Sequence, residues 1–209
     1  MHYIEALQNR YAAKKFNTGI KVSSEKIKNI LEAGKLSASS LGLQPYRLVV
    51  AESHTMLEKL ADAFYNTSQI STCSHLVAII AKIGIEDEYI DSYLSHLSGE
   101  REIDVETLAP FRRSIAGYRG RQSADEITAW NEKQGYIVLG NLMFAAALEK
   151  VDSCPIEGFM PDKMTEILEL NPQEEKVSVT LALGYRADDD HFQHHKKVRK
   201  PDEKLFEFL

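Results

Sequence analysis

Basic side chains form two clusters, one near each end of the chain, and their type suits them to hold an anion. Arg10 and Lys14 are four positions apart, so in a helical turn they would share one face. Residues 196–201 form the densest positive stretch, Lys-Lys-Val-Arg-Lys-Pro. A phosphate near two or three such cations gains about 4 kcal/mol per close pair at an effective dielectric constant of about 20. A solvated basic surface explains each cluster equally well when it is taken alone.

Two further segments contain small or stiff residues that would let the backbone approach a flat ligand. Residues 37–46 include Ser39, Ser40 and Gly42, and Gln44-Pro45 favours an extended entry into a strand. Residues 155–159, Pro-Ile-Glu-Gly-Phe, combine a stiff apolar surface with exposed backbone amides, which suits one face of a planar ring. An ordinary loop and a plain turn are the alternative interpretations.

The standard motifs of several enzyme classes are missing. There is no GxGxxG, GxxxxGK[ST], HExxH or GxSxG pattern, which argues against Rossmann dehydrogenases and P-loop enzymes. The formal net charge of −6 argues against a nucleic-acid partner. Asp188-Asp189-Asp190-His191 and His194-His195 match no standard zinc or calcium spacing, so we expect solvated aspartates and no metal.

Cysteine usage and apolar runs bear on the compartment. The two cysteines, Cys73 and Cys154, lie beside apolar runs without a CxxC spacing, which favours buried free thiols. The first ten residues contain no apolar stretch typical of a secretory signal. The longest apolar runs, residues 76–81 and 142–148, are too short to span a bilayer. We therefore expect a cytoplasmic protein with no membrane partner.

Hydrophobic periodicity predicts the elements that position these residues. A helix is expected over residues 22–34 with Ser23 as its N-cap, and a second around residues 57–64. Residues 47–51 and 76–83 suit buried strands. Residues 177–183 alternate between apolar and polar, which predicts a strand with one face on the core.

The second half of the chain contains two further predicted helical regions. Charged residues 85–125 are interpreted as a helical excursion or lid within a single domain of residues 1–209. The longest helix is predicted over residues 125–150, with an apolar seam spaced as in a heptad. The seam consists of Trp130, Gln134, Ile137, Asn141, Phe144 and Leu148. Its two amides indicate either a core helix bonded to nearby backbone or a helix at a subunit interface, and both alternatives stay open.

In this order and with these separations, the segments resemble the nitroreductase family, in particular its oxygen-insensitive NAD(P)H nitroreductases and dihydropteridine reductases. The other landmarks are Tyr65-Asn66, Ser74-His75 and Gly140-Asn141. The resemblance implies an α+β fold in which helices flank a central mixed β-sheet. It also implies an interlocked homodimer with FMN at the interface, NADH or NADPH as hydride donor, and a small-molecule acceptor such as a nitroaromatic or quinone.

The resemblance also assigns roles to individual residues. Arg10, Lys197 and Arg199 match the positions that hold the FMN phosphate, and Lys14 matches the cation near the pyrimidine edge of the ring. Asn66 matches an amide at the ring edge, and Ser39 a contact from the other subunit. Pro155, Ile156, Glu157 and Gly158 match the wall of one ring face.

Three cofactor-binding positions depart from the family pattern. Tyr11 and Ala12 stand where relatives often have a second basic residue or His followed by Ser, and Gln69 stands where close relatives have Lys. No side chain is expected to act as a catalytic acid or base, because the flavin carries the chemistry. The alternatives on the same fold are a flavin or pteridine reductase and an FMN-binding protein that stores or senses FMN without turnover.

Overall fold

The structure, a computed structural model, describes residues 2–209 and consists mainly of helices around one small sheet. The helices are α1 (Tyr3–Asn9), α2 (Ser24–Lys35), α3 (His54–Ala61), α4 (Ser68–Ser71), α5 (Asp87–Arg101), α6 (Ala109–Arg119), α7 (Ala124–Leu148), α8 (Pro161–Ile167) and α9 (Asp202–Leu205). Short 3₁₀ turns cover Ser40–Gly42, Val105–Leu108 and His191–His194. The strands are β1 (Tyr46–Ala51), β2 (His75–Lys82), β3 (Asp152–Ile156) and β4 (Glu175–Gly184). These bounds confirm the α+β class and the helices and strands predicted from apolar patterns. Residues 10–14 lie outside α1, so Arg10 and Lys14 do not share a helical face as suggested.

The sheet has the order β1-β2-β4-β3, and every neighbouring pair in it is antiparallel. The expectation of a mixed sheet is therefore wrong for this protomer. Outside the four strands, Ala12 forms a single-residue parallel bridge with Ser153 at the outer edge of β3. This bridge brings the N-terminal segment to β3.

Both faces of the sheet are buried, and a separate apolar cluster covers each one. Alternate side chains of β2 point to opposite sides, so Leu76 and Ile80 join the cluster with α3 and α8, while Val77 and Ile79 pack with α2 and α7. The prediction that residues 177–183 bury one face is wrong, because Thr180 and Ala182 are as fully buried as Leu181. The strand lies between two helical layers.

Helix α7 packs along the sheet, and its polar side chains are bonded within the protomer. It begins with a capping box between Ser123 and Glu126. Oε1 of Gln134 accepts from the Ser40 backbone N–H at 2.8 Å, and Nδ2 of Asn141 donates to the Ser37 hydroxyl at 2.8 Å. Both amides therefore hold the loop between α2 and β1. Gln134 bonds to backbone, as the core-helix alternative predicts, whereas Asn141 bonds to a side chain. Ile137 of the predicted seam is 45% exposed, so the seam is not the buried stripe of the protomer.

Residues 85–125 form the predicted helical excursion, with α5 packed against α6. Three ion pairs join these helices: Arg112 pairs with both Asp87 and Asp91, and Arg119 pairs with Asp87. Their apolar residues form a third cluster that also includes Leu43. The excursion thus covers the loop between α2 and β1. Within residues 2–209, no helix is long and apolar enough to cross a membrane.

Candidate functional site

A cavity of about 390 Å³ lies between the segment that follows α1 and the segment that follows the His191–His194 turn. Six of the predicted cofactor-binding residues line it: Arg10, Tyr11, Ala12, Lys14, Lys197 and Arg199. Sequence analysis did not select Phe192 and His195, which line the same cavity. The two basic clusters, almost two hundred positions apart, thus form one surface.

Three cations of this cavity, Arg10, Lys197 and Arg199, lie close together. The Lys197 ammonium donates to the backbone carbonyl of Arg10. Burial and the nearby Arg199 lower the pKa of Arg10, and burial together with Arg10 and Arg199 lowers the pKa of Lys197. None of the ion pairs within residues 2–209 involves these three residues. Nε of Arg10 is buried without a hydrogen-bond partner. An anion bound here would offset the repulsion between these cations and accept a hydrogen bond from Nε of Arg10.

Asp190 holds the two sides of the cavity together and was missed by sequence analysis. It is only 3% exposed, so the expectation that the run of aspartates is solvated is wrong for this residue. Its Oδ2 accepts from the Tyr11 hydroxyl and the Lys14 backbone N–H, both at 2.8 Å, and its Oδ1 accepts from Phe192 N–H at 3.1 Å. Burial raises the pKa of Asp190, but these hydrogen bonds outweigh it and the net shift is downward. The carboxylate is therefore charged and fully engaged at neutral pH.

Tyr11 lines the cavity, and its hydroxyl already donates a hydrogen bond to Asp190. Burial and then the bond to Asp190 raise the pKa of Tyr11, so the phenol stays protonated. The Arg186 guanidinium lies 4.5 Å from the centre of its ring and is paired with Asp152 on β3. Tyr11 thus connects the cavity to the sheet.

The edge of β3 brings a second set of predicted residues beside the cavity. Ala13 N–H donates to the Ser153 carbonyl at 3.3 Å, next to the bridge at Ala12. Nζ of Lys14 lies 3.8 Å from Sγ of Cys154, the residue directly before Pro155. Lys14 therefore stands where the cationic cavity meets the predicted ring wall.

Gln69 is buried and reaches the same sulfur rather than the cavity. Its Nε2 donates to Sγ of Cys154 at 2.9 Å. Burial raises the pKa of Cys154, against an opposing effect of Lys14, so the thiol is neutral. Cys73 lies in the core, where burial raises its pKa to about 12. Both cysteines are buried free thiols, as predicted.

Residues 155–158 form the end of β3 and the turn that follows it. Pro155 is partly buried and Ile156 is buried, which gives the stiff surface that the sequence indicated. The Gly158 carbonyl accepts from Tyr65 N–H at 3.1 Å, which places the exposed Asn66 next to this turn. The Glu157 carboxylate accepts a hydrogen bond from the Tyr136 hydroxyl of α7.

Ser39 is the one predicted site residue that the protomer places in a different neighbourhood. It lies in the loop between α2 and β1, and its Oγ accepts from Gln44 N–H at 3.0 Å. That loop packs on α5 and α7, whereas the cavity lies at the β3 edge. The predicted contact of Ser39 with a second subunit's site stays a prediction.

The histidines and aspartates of residues 188–195 are not arranged around a metal. Within residues 2–209, no three His, Cys, Asp or Glu side chains converge on one position that could hold an ion. Asp189 instead pairs with Lys15 at the surface.

Comparison with known proteins assigns the family. Residues 7–185 match the nitroreductase family, and the chain belongs to it. A protein of Staphylococcus epidermidis with the provisional name NAD(P)H nitroreductase is 36% identical over 216 residues, which cover 99% of this chain and 96% of that protein. One of Staphylococcus haemolyticus with the same provisional name is 35% identical over 214 residues, covering 99% and 96%.

Solved structures share the fold at lower identity. A provisionally named NAD(P)H:FMN oxidoreductase from Staphylococcus epidermidis superposes with a TM-score of 0.86 at 24% identity, covering 99% of this chain and 95% of that one. A provisionally named nitroreductase from Exiguobacterium sibiricum, solved in complex with FMN, gives a TM-score of 0.84 at 22% identity, covering 100% and 98%. These likenesses confirm the nitroreductase-like fold.

Proposed function

We propose that the chain binds FMN noncovalently and acts as an NAD(P)H-dependent reductase of small electron acceptors. The observation that carries this proposal is the cavity in which Arg10, Lys197 and Arg199 lie together, with no acidic partner among residues 2–209. A single terminal phosphate supplies the charge that this cluster lacks. Two solved structures of the same fold, one named as an NAD(P)H:FMN oxidoreductase and one solved in complex with FMN, support the same ligand.

The residues present fit the phosphate end of FMN. The guanidinium groups of Arg10 and Arg199 offer planar sets of donors, and the unpaired Nε of Arg10 is already desolvated. Lys197 adds a charge and is fixed by its bond to the Arg10 carbonyl. Asp190 does not compete for these cations, because donors from Tyr11, Lys14 and Phe192 satisfy it.

The residues at the β3 edge fit the ring end. Lys14 would place its positive charge at the pyrimidine edge, and Pro155 to Gly158 would cover one ring face. When bound, FMN supplies the hydride chemistry, accepting from the nicotinamide and donating to the acceptor. The protein would position the flavin and set the electrostatic field around it. A fixed cation at Lys14 would stabilise the negative charge that the ring gains on reduction.

We also propose that the functional unit is a homodimer. Helix α7 exposes Ile137 and Leu148, and the C-terminal residues Phe206 and Phe208 are exposed by 56% and 95%. An apolar groove of about 460 Å³ runs between α2 and the outer edge of β1. Apolar surfaces of this kind are normally covered by a partner. A second copy of the chain would cover them and bring Ser39 to the other protomer's cavity.

Two measurements test the proposed function. Acid precipitation of the purified, yellow protein should release all of its flavin as FMN into the supernatant, at one per chain. Colour retained in the pellet, or FAD in the extract, would contradict noncovalent FMN. Oxidation of NADH or NADPH should then be followed with a panel of nitroaromatics, quinones, free flavins and pterins. A flavin-loaded protein without turnover on any of them would indicate a storage protein instead.

A further inference from the structure

The loop of residues 39–44 adopts a backbone conformation that its own sequence does not favour. Leu41, Gly42 and Gln44 have φ angles of 55°, 69° and 48°. Leucine and glutamine rarely adopt left-handed φ values, because their Cβ atoms crowd the backbone. Such a conformation persists only where the surroundings hold it in place.

Two tyrosines of α5 supply the restraint on the middle of this loop. The Tyr89 hydroxyl lies 2.8 Å from the carbonyl oxygens of both Leu43 and Gln44, and the Tyr93 hydroxyl donates to the Leu41 carbonyl at 3.3 Å. Burial raises the pKa of Tyr89 to about 12, so its hydroxyl is a donor throughout the neutral range. The two hydroxyls thus engage the carbonyls of three of the loop's residues.

The packing of Tyr93 against the loop also explains the glycine. A Cβ at position 42 would collide with the Tyr93 hydroxyl oxygen. The tyrosine therefore occupies the space that any other residue at position 42 would need. The absence of a side chain at Gly42 therefore lets the loop pack closely against α5.

The N-terminal end of the loop and the residues just before it are held by α7. Gln134 accepts from Ser40 N–H, and Asn141 donates to Ser37. Inside the loop, Gln44 N–H donates to Oγ of Ser39, which fixes the hydroxyl oxygen and leaves its hydrogen to be donated elsewhere. The net result is a rigid loop that presents Ser39.

We propose that Tyr89 and Tyr93 are positioning residues, through which the α5–α6 excursion of one subunit holds Ser39 in place for the FMN site of the other. This inference rests on the proposed function, in which Ser39 contacts flavin across a dimer. Loosening the loop should weaken FMN binding in the partner's cavity while the cations of the cavity stay intact.

Hydrogen exchange combined with FMN titration tests the proposal. Tyr89→Phe and Tyr93→Phe together should speed amide exchange of residues 40–44 at least tenfold and raise the FMN dissociation constant about tenfold. The control is Tyr118→Phe, because Tyr118 belongs to the same excursion but packs on Trp130, with ring centroids 5.3 Å apart. An unchanged FMN constant in the double variant, or equal effects in the control, would overturn the proposal. Exchange is measured without FMN, so a wild-type chain that binds no FMN would refute the proposed function separately.

A mixed dimer shows whether the effect crosses the interface. One subunit carries Arg10→Ala and Arg199→Ala, and the other carries Tyr89→Phe and Tyr93→Phe, with different tags for purification. If the tyrosines act across the interface, the intact cavity meets the intact loop, and one site per dimer binds FMN with wild-type affinity. If they act within their own subunit, no site of wild-type affinity forms, and the proposal fails.

Discussion

The Tyr11 hydroxyl donates to Oδ2 of Asp190 across 2.8 Å, although the two residues are 179 positions apart. The same oxygen accepts from Lys14 N–H, so one buried carboxylate fixes the N-terminal wall of the cavity against the segment that carries Lys197 and Arg199. The distance between the two cationic segments therefore depends on Asp190.

Replacing Asp190 by Asn should separate these segments without removing any cation. The amide group cannot accept at both former oxygens, and loss of a charge-assisted bond costs roughly 1.5–3 kcal/mol. We expect FMN binding to weaken about tenfold and the apoprotein to melt at a lower temperature. Asp189→Asn is the matched control, because Asp189 is exposed and pairs only with the Lys15 side chain. Equal affinities for the two variants, measured by fluorescence titration, would show that Asp190 does not set the cavity.

The contribution of Asp190 also has a defined pH dependence. Its pKa in the folded protein is below the ordinary value of 3.8, so the group stabilises the fold above that value. The stabilisation is lost as the pH falls through the lowered pKa. The pKa of the exposed Asp189 is lowered as well, by its bond to Lys15, so the acid limb of the melting-temperature profile should flatten more in Asp190→Asn than in Asp189→Asn.

The contrast between Arg10 and Asp190 shows what the sequence could predict. Arg10, Lys14, Lys197 and Arg199 stand out because clustered cations suggest an anion, and the family resemblance supplied their order. Asp190 resembles its exposed neighbours in sequence, and only the tertiary fold places it against four donors, from Tyr11, Lys14, Lys15 and Phe192. Local apolar patterns predicted α2, α3, α7 and the strands β1, β2 and β4 but not α1, α4, α8, α9 or β3, and strand direction and the burial of Thr180 depend on tertiary packing that no local pattern encodes.

Lys197 should make FMN binding sensitive to alkaline pH. Burial and the neighbouring guanidinium groups lower its pKa below 10.5, so the free cavity loses this charge early as the pH rises. A bound phosphate favours the charged ammonium and raises that pKa, which means that binding takes up a proton in this range. The FMN dissociation constant should therefore increase with pH in the wild type.

Lys197→Arg separates this effect from ionisation of the ligand itself. Arginine keeps its charge because its pKa lies well above that of lysine, so the variant should bind FMN with a smaller pH dependence over the same range. Titrations at several alkaline pH values in both proteins measure the difference. Parallel slopes would mean that Lys197 does not contact the phosphate.

The exposed C-terminal aromatic residues should be needed for the dimer. Light scattering of the flavin-loaded protein should give twice the chain mass of 23.6 kDa. Phe206→Asp with Phe208→Asp should shift this mass toward the monomer, because each charge would have to be buried in an apolar contact. Val105→Asp, an exposed apolar position in the excursion, serves as the control. A double variant that stays dimeric would exclude these two residues from the interface.

Lys14 and Arg199 should affect FMN in different ways, because they stand at different ends of the proposed site. Arg199 lies with Arg10 in the cavity, whereas Nζ of Lys14 lies 3.8 Å from Cys154, beside the predicted ring wall. Arg199→Ala removes a charge-assisted contact of roughly 1.5–3 kcal/mol, which weakens FMN binding by about one to two decades. Its flavin reduction potential should remain close to the wild-type value once FMN is saturating.

Lys14→Ala should instead lower that potential, because the negative charge gained on reduction loses its nearby cation. Hydride transfer from the nicotinamide should also slow at saturating FMN. The test is to measure the flavin reduction potential of both flavin-saturated variants. An unchanged potential in Lys14→Ala, or a larger shift in Arg199→Ala, would refute these two assignments while leaving the family membership intact.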